Sequence, residues 1–396
     1  MQFTFNEIIA QLNGSRNLAV TNFAFEIVRA KVIPSDYFLA TILPEELHPD
    51  YVTGQGHITI YPTMINQAAM DSPFTPLGVM TSEMLQENTI KLGGEMFFTE
   101  KDMRDLQALE KSIITTGFAR GLTPAQINGG LTVNKDTGMG DGGTVNGLRL
   151  NALIGMTLAM AKAHFDRREW MRAQALFYNG LDWTFNGLPA KVTYKIPTSN
   201  YLAERTSSEA YNASSSKFWT DVRTLYTKLN NFVLVMNQNT YNAIIGQPAN
   251  NISITAENGM VKTIVQWNSQ AVRQPNDFRN TQTIYVYNKS GTHFDPTTKE
   301  MTAIPFVPDG LILAVGEAVF EGIQLTQGSV DDPTLKYRAG YTHIAPTVES
   351  GGQMGTWARI YTPEAKPMQV LGETAGNTLP MITNGKRICR LKTTIS

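Results

Sequence analysis

Residues 148–178 carry an unbroken helical pattern, and it restricts the fold more than any other feature of the chain. Leu150, Ile154, Leu158, Ala161 and Phe165 fall on one face, and Trp170, Ala173 and Phe177 continue the helical spacing. At 1.5 Å per residue such a rod is about 45 Å long. Asn179-Gly180 is a stop signal, because glycine takes the left-handed conformation that ends a helix. The run that follows, "LDWTFNGLPAKVTYKIP", reads as a hairpin turned at Asn186-Gly187.

Upstream, "HITIYP" alternates like a strand, and Pro73 and Pro76 keep "DSPFTPLG" extended. "TIKLGGEMFFT" reads as two β segments hinged at Gly93-Gly94, so that 58–99 forms a long two-stranded excursion. A helix is predicted over 99–117, with Thr99 as N-cap, Glu100 and Asp102 in the first turn and Gly117 as the stop. The glycine-dense stretch 121–147 is too long for an ordinary turn. Residues 198–216, rich in Ser, Asn and Thr, read as a linker. An α/β pattern follows: "KFWTDVRTLYTKL" as helix, "NFVLVMN" as strand, "QNTYNAIIG" as short helix, "GMVKTIVQW" as helix, then "QTIYVYNKSG" and "GLILAVG" as strands. From 319 onward the pattern is mostly strand.

A chain of 396 residues that is 42% hydrophobic can bury a sizeable core. Its net charge of −1, with 17% charged residues, argues against a broad basic face that grips nucleic acid. Cys389 is the only cysteine, which rules out an internal disulfide and reads as a small core residue made in a reducing compartment. The first residues lack the basic and apolar regions of a signal peptide. The most apolar run, "LNALIGMTLAMAKAHF", is too short to span a bilayer and is interrupted by Lys162, so no membrane association is expected.

The residues that do chemistry in enzymes are present without their patterns. His48, His57, His164, His293 and His343 are scattered, with no HExxH or other metal-ligand spacing. "GMGDGG" lacks the lysine of a phosphate-binding loop, "GDGGTVNG" has one acid where a calcium loop needs several, and no G-x-S-x-G occurs. No catalytic residue, metal site or cofactor is therefore assigned. "DRRE" at 166–169 reads as a solvated helix face in which Glu169 and Arg172 pair at i,i+3. Trp170, Phe177, Trp183 and Phe185 could stack on bases or sugars, as in a carbohydrate-binding protein or enzyme; core or subunit packing is the commoner fate of such a cluster. Extended excursions that cannot bury their apolar side chains within one chain, together with the lack of a reaction centre, point to an assembly subunit.

The order of elements resembles the Hong Kong 97 phage-type major capsid protein, and within it the lambda-like branch (the major capsid protein E family). "RREWMRAQALFYNGLDWTFNG" resembles the end of that family's spine helix, and "NNFVLVMNQNTYNAIIG" a strand and short helix of its axial domain. "IPFVPDGLILAVGEA" resembles the segment leading to the inner axial sheet, and "EAKPMQVLGETAGNTLPMITNGKRICRLKT" the C-terminal peripheral strands. The resemblance covers about 58–396 and implies an α+β capsid fold. Its parts would be an N-terminal arm and start of the peripheral domain at 1–57, an extended loop at 58–99, and a peripheral domain at 100–197 with its spine helix at 148–178. An axial domain at 198–345 and C-terminal peripheral strands at 346–396 would complete it. The glycine-rich insertion 121–147 has no family counterpart.

The resemblance also implies a function: self-assembly through pentamers and hexamers into an icosahedral phage head that encloses double-stranded DNA without binding it specifically. The implied partners are a portal, a separate scaffolding protein and a decoration protein. The implied location is the virion, after assembly in the host cytoplasm. Inter-subunit contacts or hinges are expected at Phe74, Leu77, Gly93, Gly94, Phe97, Trp170, Asn179, Gly180 and Trp183. Lys91 is the only lysine of the expected loop, and no covalent cross-link is expected there. An encapsulin-like compartment shell shares the fold and is the second reading.

Overall fold

The computed structural model describes residues 7–9, 37–62, 78–130, 141–185, 188–229, 232–250, 252–258, 262–267, 281–294, 300–317, 337–352, 354–362 and 370–395. Phe74, Leu77, Pro73, Pro76, the Asn186-Gly187 turn and most of the expected N-terminal arm lie outside them. The first elements are α1 (Leu39–Ile42), β1 (Glu45–Leu47), β2 (Val52–Pro62), β3 (Gly78–Asn88), β4 (Ile90–Phe98), α2 (Glu100–Ala119), α3 (Pro124–Asn128) and α4 (Val145–Tyr178). Next come β5 (Gly180–Phe185), β6 (Leu188–Thr193), α5 (Phe218–Lys228), β7 (Phe232–Met236), α6 (Gln238–Ile245), β8 (Ile252–Asn258), β9 (Lys262–Trp267) and β10 (Thr281–Val286). The remaining strands are β11 (Ser290–Phe294), β12 (Met301–Pro305), β13 (Leu311–Gly316), β14 (Gly340–Ala345), β15 (Trp357–Tyr361), β16 (Val370–Ile382) and β17 (Ile388–Lys392).

The long helix α4 starts three residues before the predicted 148. Thr144 is its N-cap, accepting from the Gly147 N–H at 3.2 Å. At the other end Asn179, not Gly180, takes the left-handed conformation, with φ 58°. Asparagine tolerates this region because its short polar side chain can hydrogen-bond locally. Gly180 instead begins β5, whose strand returns at once through β6. No basic residue lies in the last turn of α4. The guanidinium of Arg390 on β17 fills that role, donating to the Phe177 carbonyl at 2.9 Å.

Two sheets flank this helix. In the first, β16 is central: β4 pairs along one edge, and β14 and β15 pair along successive stretches of the other, with β1 parallel to β14. A ridge of α4 at four-residue spacing, Met156, Met160, His164 and Arg168, lies over β16, where Gly372 and Gly376 stand. A Cβ on Gly372 would sit 2.9 Å from the side chains of Met156 and Met160. The absence of side chains there lets the helix lie close to the strand.

The second sheet runs β17-β13-β7-β10-β9-β8 and forms a wall between two cores. Side chains alternate across a strand. Val233 and Val235 of β7 and Leu311, Leu313 and Val315 of β13 join the main core with the C-terminal half of α4. Leu234 and Met236, with Ile312 and Ala314, join a second core under α5 and α6. Cys389 is buried in that second core. A third cluster gathers Ile8 with Leu150, Leu153, Ile154 and Val370 around the N-terminal half of α4.

Several expectations change. Residues 262–267 form strand β9, not a helix, because β8 and β10 both pair with them. The two-stranded excursion is β2 against β3, paired in register from Val52↔Asn88 to Pro62↔Gly78, while β4 leaves it and joins β16. Helix α2 has the predicted Thr99 cap, with a full capping box to Asp102, but runs through Gly117 to Ala119. Gly117 matters for close packing: a Cβ there would lie 2.6 Å from Ile127 on α3. The segment read as a linker is tied to β17 by Asn200, which donates to the Ile388 carbonyl at 3.0 Å, and by a bridge from Arg205 to Thr393. Strand β14 lies with the first sheet and β17 with the second.

The close approach of β14 to β16 yields a test. A Cβ on Gly340 would stand 2.0 Å from the Met381 carbonyl oxygen. Gly340→Ala is expected to destabilise the chain by about 1–3 kcal/mol, the usual cost of overpacking. Urea unfolding followed by circular dichroism reads this, and an unchanged midpoint would contradict the packing described.

Candidate functional site

The segment read as a solvated helix face is the most buried charged cluster of the described residues. Arg168, Glu169 and Arg172 are 3%, 0% and 1% exposed, which corrects the expectation of a solvated face at 166–169 for Arg168 and Glu169. Arg172 bridges Glu169 at 3.0 Å and Glu45 of β1 at 3.0 Å, and its Nε donates to Thr342 of β14 at 2.8 Å. Arg168 reaches Glu45 at 3.3 Å and donates to Thr356. Glu169 accepts from the Leu39 N–H and the Tyr287 hydroxyl, each at 2.8 Å. Two carboxylates and two guanidiniums thus close a neutral set, the condition under which charges are tolerated in an interior. Burial pushes the Glu169 carboxyl up, and Arg172 with the Tyr287 and Leu39 donors opposes it. The i,i+3 spacing of Glu169 and Arg172 was legible, but Glu45, Thr342 and Tyr287 were missed because they are far away in sequence.

His164 lies one turn before this set. The Thr374 hydroxyl donates to the Trp357 carbonyl at 2.9 Å and so accepts from His164 Nε2, 2.8 Å away. Burial first, and then Arg168, drives the imidazole down to about 3. The ring is therefore neutral at physiological pH.

The near end of α4 is fixed by a bidentate pair. Arg149 meets Glu110 of α2 at 2.5 and 2.7 Å. This anchors one point of a helix whose only buried residues among twenty are Glu110 and Gly117. Leu109 and Phe118 are exposed on it. The β2–β3 hairpin pairs only with itself among the described strands.

The expected contact residues fall in different places. Gly93, Gly94 and Phe97 lie on β4, which runs unbroken from Ile90 to Phe98. Trp170 packs partly buried against the main core, with the Arg167 guanidinium 4.2 Å from its ring centre. Phe177 is fully buried. Asn179 and Gly180 form the joint between α4 and β5, and Trp183 stands opposite Ala190 on that hairpin. The structure does not bring these residues together into one site. Among the described residues no group of three potential metal ligands occurs, and no helix is long and apolar enough to cross a membrane.

No protein-family profile matches the chain, and no curated protein matches its sequence. Solved structures do match. A protein of an Escherichia coli CFT073 prophage, assigned as its capsid protein, aligns over 100% of both chains with a TM-score of 0.50 and 12% identity. A phage-related protein of Bordetella bronchiseptica RB50 covers 94% of this chain and 95% of its own, at TM-score 0.41 and 11% identity. The capsid of the myophage XM1 covers 90% of this chain and 91% of its own, at TM-score 0.41 and 11% identity. The end-to-end match to the first of these gives the class of the fold: α+β, of the Hong Kong 97 phage-type capsid kind.

Two tests follow from the buried charges. Arg172→Met leaves Glu45 and Glu169 short of a cation and is expected to cost about 3–5 kcal/mol in urea unfolding. A loss below about 1 kcal/mol would contradict the burial described. The second test is pH. An unfolded histidine titrates near 6.5 and folded His164 at about 3. Between those values the unfolded chain binds a proton that the folded chain refuses. The stability from neutral His164 is whole above pH 6.5 and falls by about 1.4 kcal/mol per unit as pH drops toward 3. His164→Gln is expected to flatten this slope, and equal slopes in both proteins between pH 7 and pH 4.5 would refute the assignment.

Proposed function

We propose that this chain is the major capsid protein of a tailed bacteriophage, of the lambda-like branch, and that it builds an icosahedral head shell around double-stranded DNA. The observation that carries the reading is the full-length match to the prophage protein assigned as a capsid protein. Helix α2 supports it, because only Glu110 and Gly117 of its twenty residues are buried and Leu109 and Phe118 are exposed, which leaves apolar surface for neighbours. The subunit joins others into pentamers and hexamers through an axial domain at 198–345. The loop region 58–99 and the arm within 1–57 reach across to adjacent subunits, and the joint at Asn179-Gly180 flexes when the shell changes size. A portal, a separate scaffolding protein and a decoration protein complete the particle. It is assembled in the host cytoplasm, and the subunit resides in the virion. The net charge of −1 suits a wall that encloses DNA without gripping it.

The test is negative-stain imaging with size-exclusion chromatography of the purified chain, alone and with co-expressed phage proteins. Closed shells, or rings of five or six, are expected. A monomer under every condition would overturn the reading. Shells that capture an enzyme instead of nucleic acid would move the assignment to an encapsulin-like compartment.

A further inference from the structure

Strand β4 is hydrogen-bonded to β16 along one edge, and no described strand pairs with the other. Five consecutive residues, Gly93 to Phe97, are exposed, with Met96 at 37% and Phe97 at 54%. A cleft of about 780 Å³ opens beside Ile90–Glu95. An exposed edge with apolar side chains is a template for another strand.

Two features of β4 have no explanation among the described residues. The first is Gly93-Gly94. Neither has a positive φ, and a Cβ on either would meet nothing nearer than 3.7 Å. Packing against the described residues does not require glycine at these positions, although glycine in a strand interior is destabilising. A glycine pair with such clearance marks the approach of another backbone. The second is Glu95. It stands directly opposite Glu373 in the ladder, and like charges in that relation repel. Glu373 is held by Arg359 at 2.7 Å and by the Tyr361 hydroxyl at 2.5 Å. Glu95 has no such partner among the described residues.

We propose that the free edge of β4 pairs antiparallel with β4 of a second copy of this chain, about a two-fold axis at Gly93. In that register Lys91 of each copy lies opposite Glu95 of the other, so each Glu95 gains the cation that Glu349 gives up. Ile90 lies opposite Met96 twice, and Leu92 opposite Gly94. Residues 91 and 95 share one face of the strand, which lets the opposed pairs meet. Lys91 is 56% exposed in its bond to Glu349, and an exposed ion pair is exchanged at little cost. The register is specific. A slip of one residue puts Lys91 opposite Met96 or Gly94, and Glu95 opposite Leu92 or Ile90, and both ion pairs vanish. The junction is isologous, since the same patch serves both copies. It rests on the self-assembly reading and adds a defined two-fold contact to it.

The experiment uses the full chain. Lys91→Cys and Glu95→Cys chains are mixed, assembled and treated with a short bismaleimide. A mixed pair brings one Cys opposite the other and keeps one Lys91–Glu95 pair. The native Cys389 is buried and does not compete. A covalent dimer is expected from the mixture and not from either variant alone. In parallel, Lys91→Glu and Glu95→Lys are each expected to lose assembled material, and the double exchange K91E/E95K is expected to regain it. Shells that form without the mixed cross-link, with both single reversals assembling like the unmodified chain, would overturn the strand junction and leave the capsid reading standing. Failure of the unmodified chain to form any oligomer would overturn both.

Discussion

The architecture depends on one buried set of charges. Glu169 and Arg172 project from α4 into an interior that also receives Glu45 from β1, Thr342 from β14, Tyr287 beyond β10 and the Leu39 N–H of α1. These groups come from residues spread over some three hundred positions of sequence. Each has its polar atoms satisfied only when all are in place. Apolar packing of α4 against β16 tolerates small shifts, whereas a buried ion left without its partner costs several kcal/mol. The set therefore fixes both the rotation and the height of the helix against the first sheet.

Local signals in the sequence told the truth where local chemistry decides. Thr99 caps its helix because its hydroxyl and Asp102 satisfy each other's backbone donors. The α4 stop was legible at Asn179-Gly180, although the asparagine adopts the left-handed turn. Where distant partners decide, sequence reading failed. "KTIVQW" carries apolar residues at a spacing that serves helix or strand, and only the flanking β8 and β10 settle it. The charged run at 166–169 reads as solvated because nothing nearby in sequence announces Glu45 or Thr342. The glycines of β4 read as a hinge; they sit instead in a continuous strand whose pairing partner, β16, lies nearly three hundred residues away.

The second sheet shows how one strand can serve two interiors. Alternate residues of β7 and β13 go to opposite cores, so both strands read as continuous apolar runs. This is the expected signature of a sheet covered on both faces. It couples the region around α5 and α6 to the spine through a shared wall. A void opened on one side is felt on the other, because close-packed interiors transmit strain.

Strand β17 has a consequence for the order of events during synthesis. It forms the outer strand of that wall, and its Arg390 caps the C-terminal end of α4. Neither the wall nor the helix end is complete until residues 388–392 have left the ribosome. Its partners, Phe177 and the 200–205 region, have by then waited for 213 and 188 residues of translation, counted from Phe177 to Arg390 and from Asn200 to Ile388. Contacts of such long separation form slowly. A chain still being translated therefore lacks both the outer strand of this wall and the cap of α4 until residues 388–392 have been made.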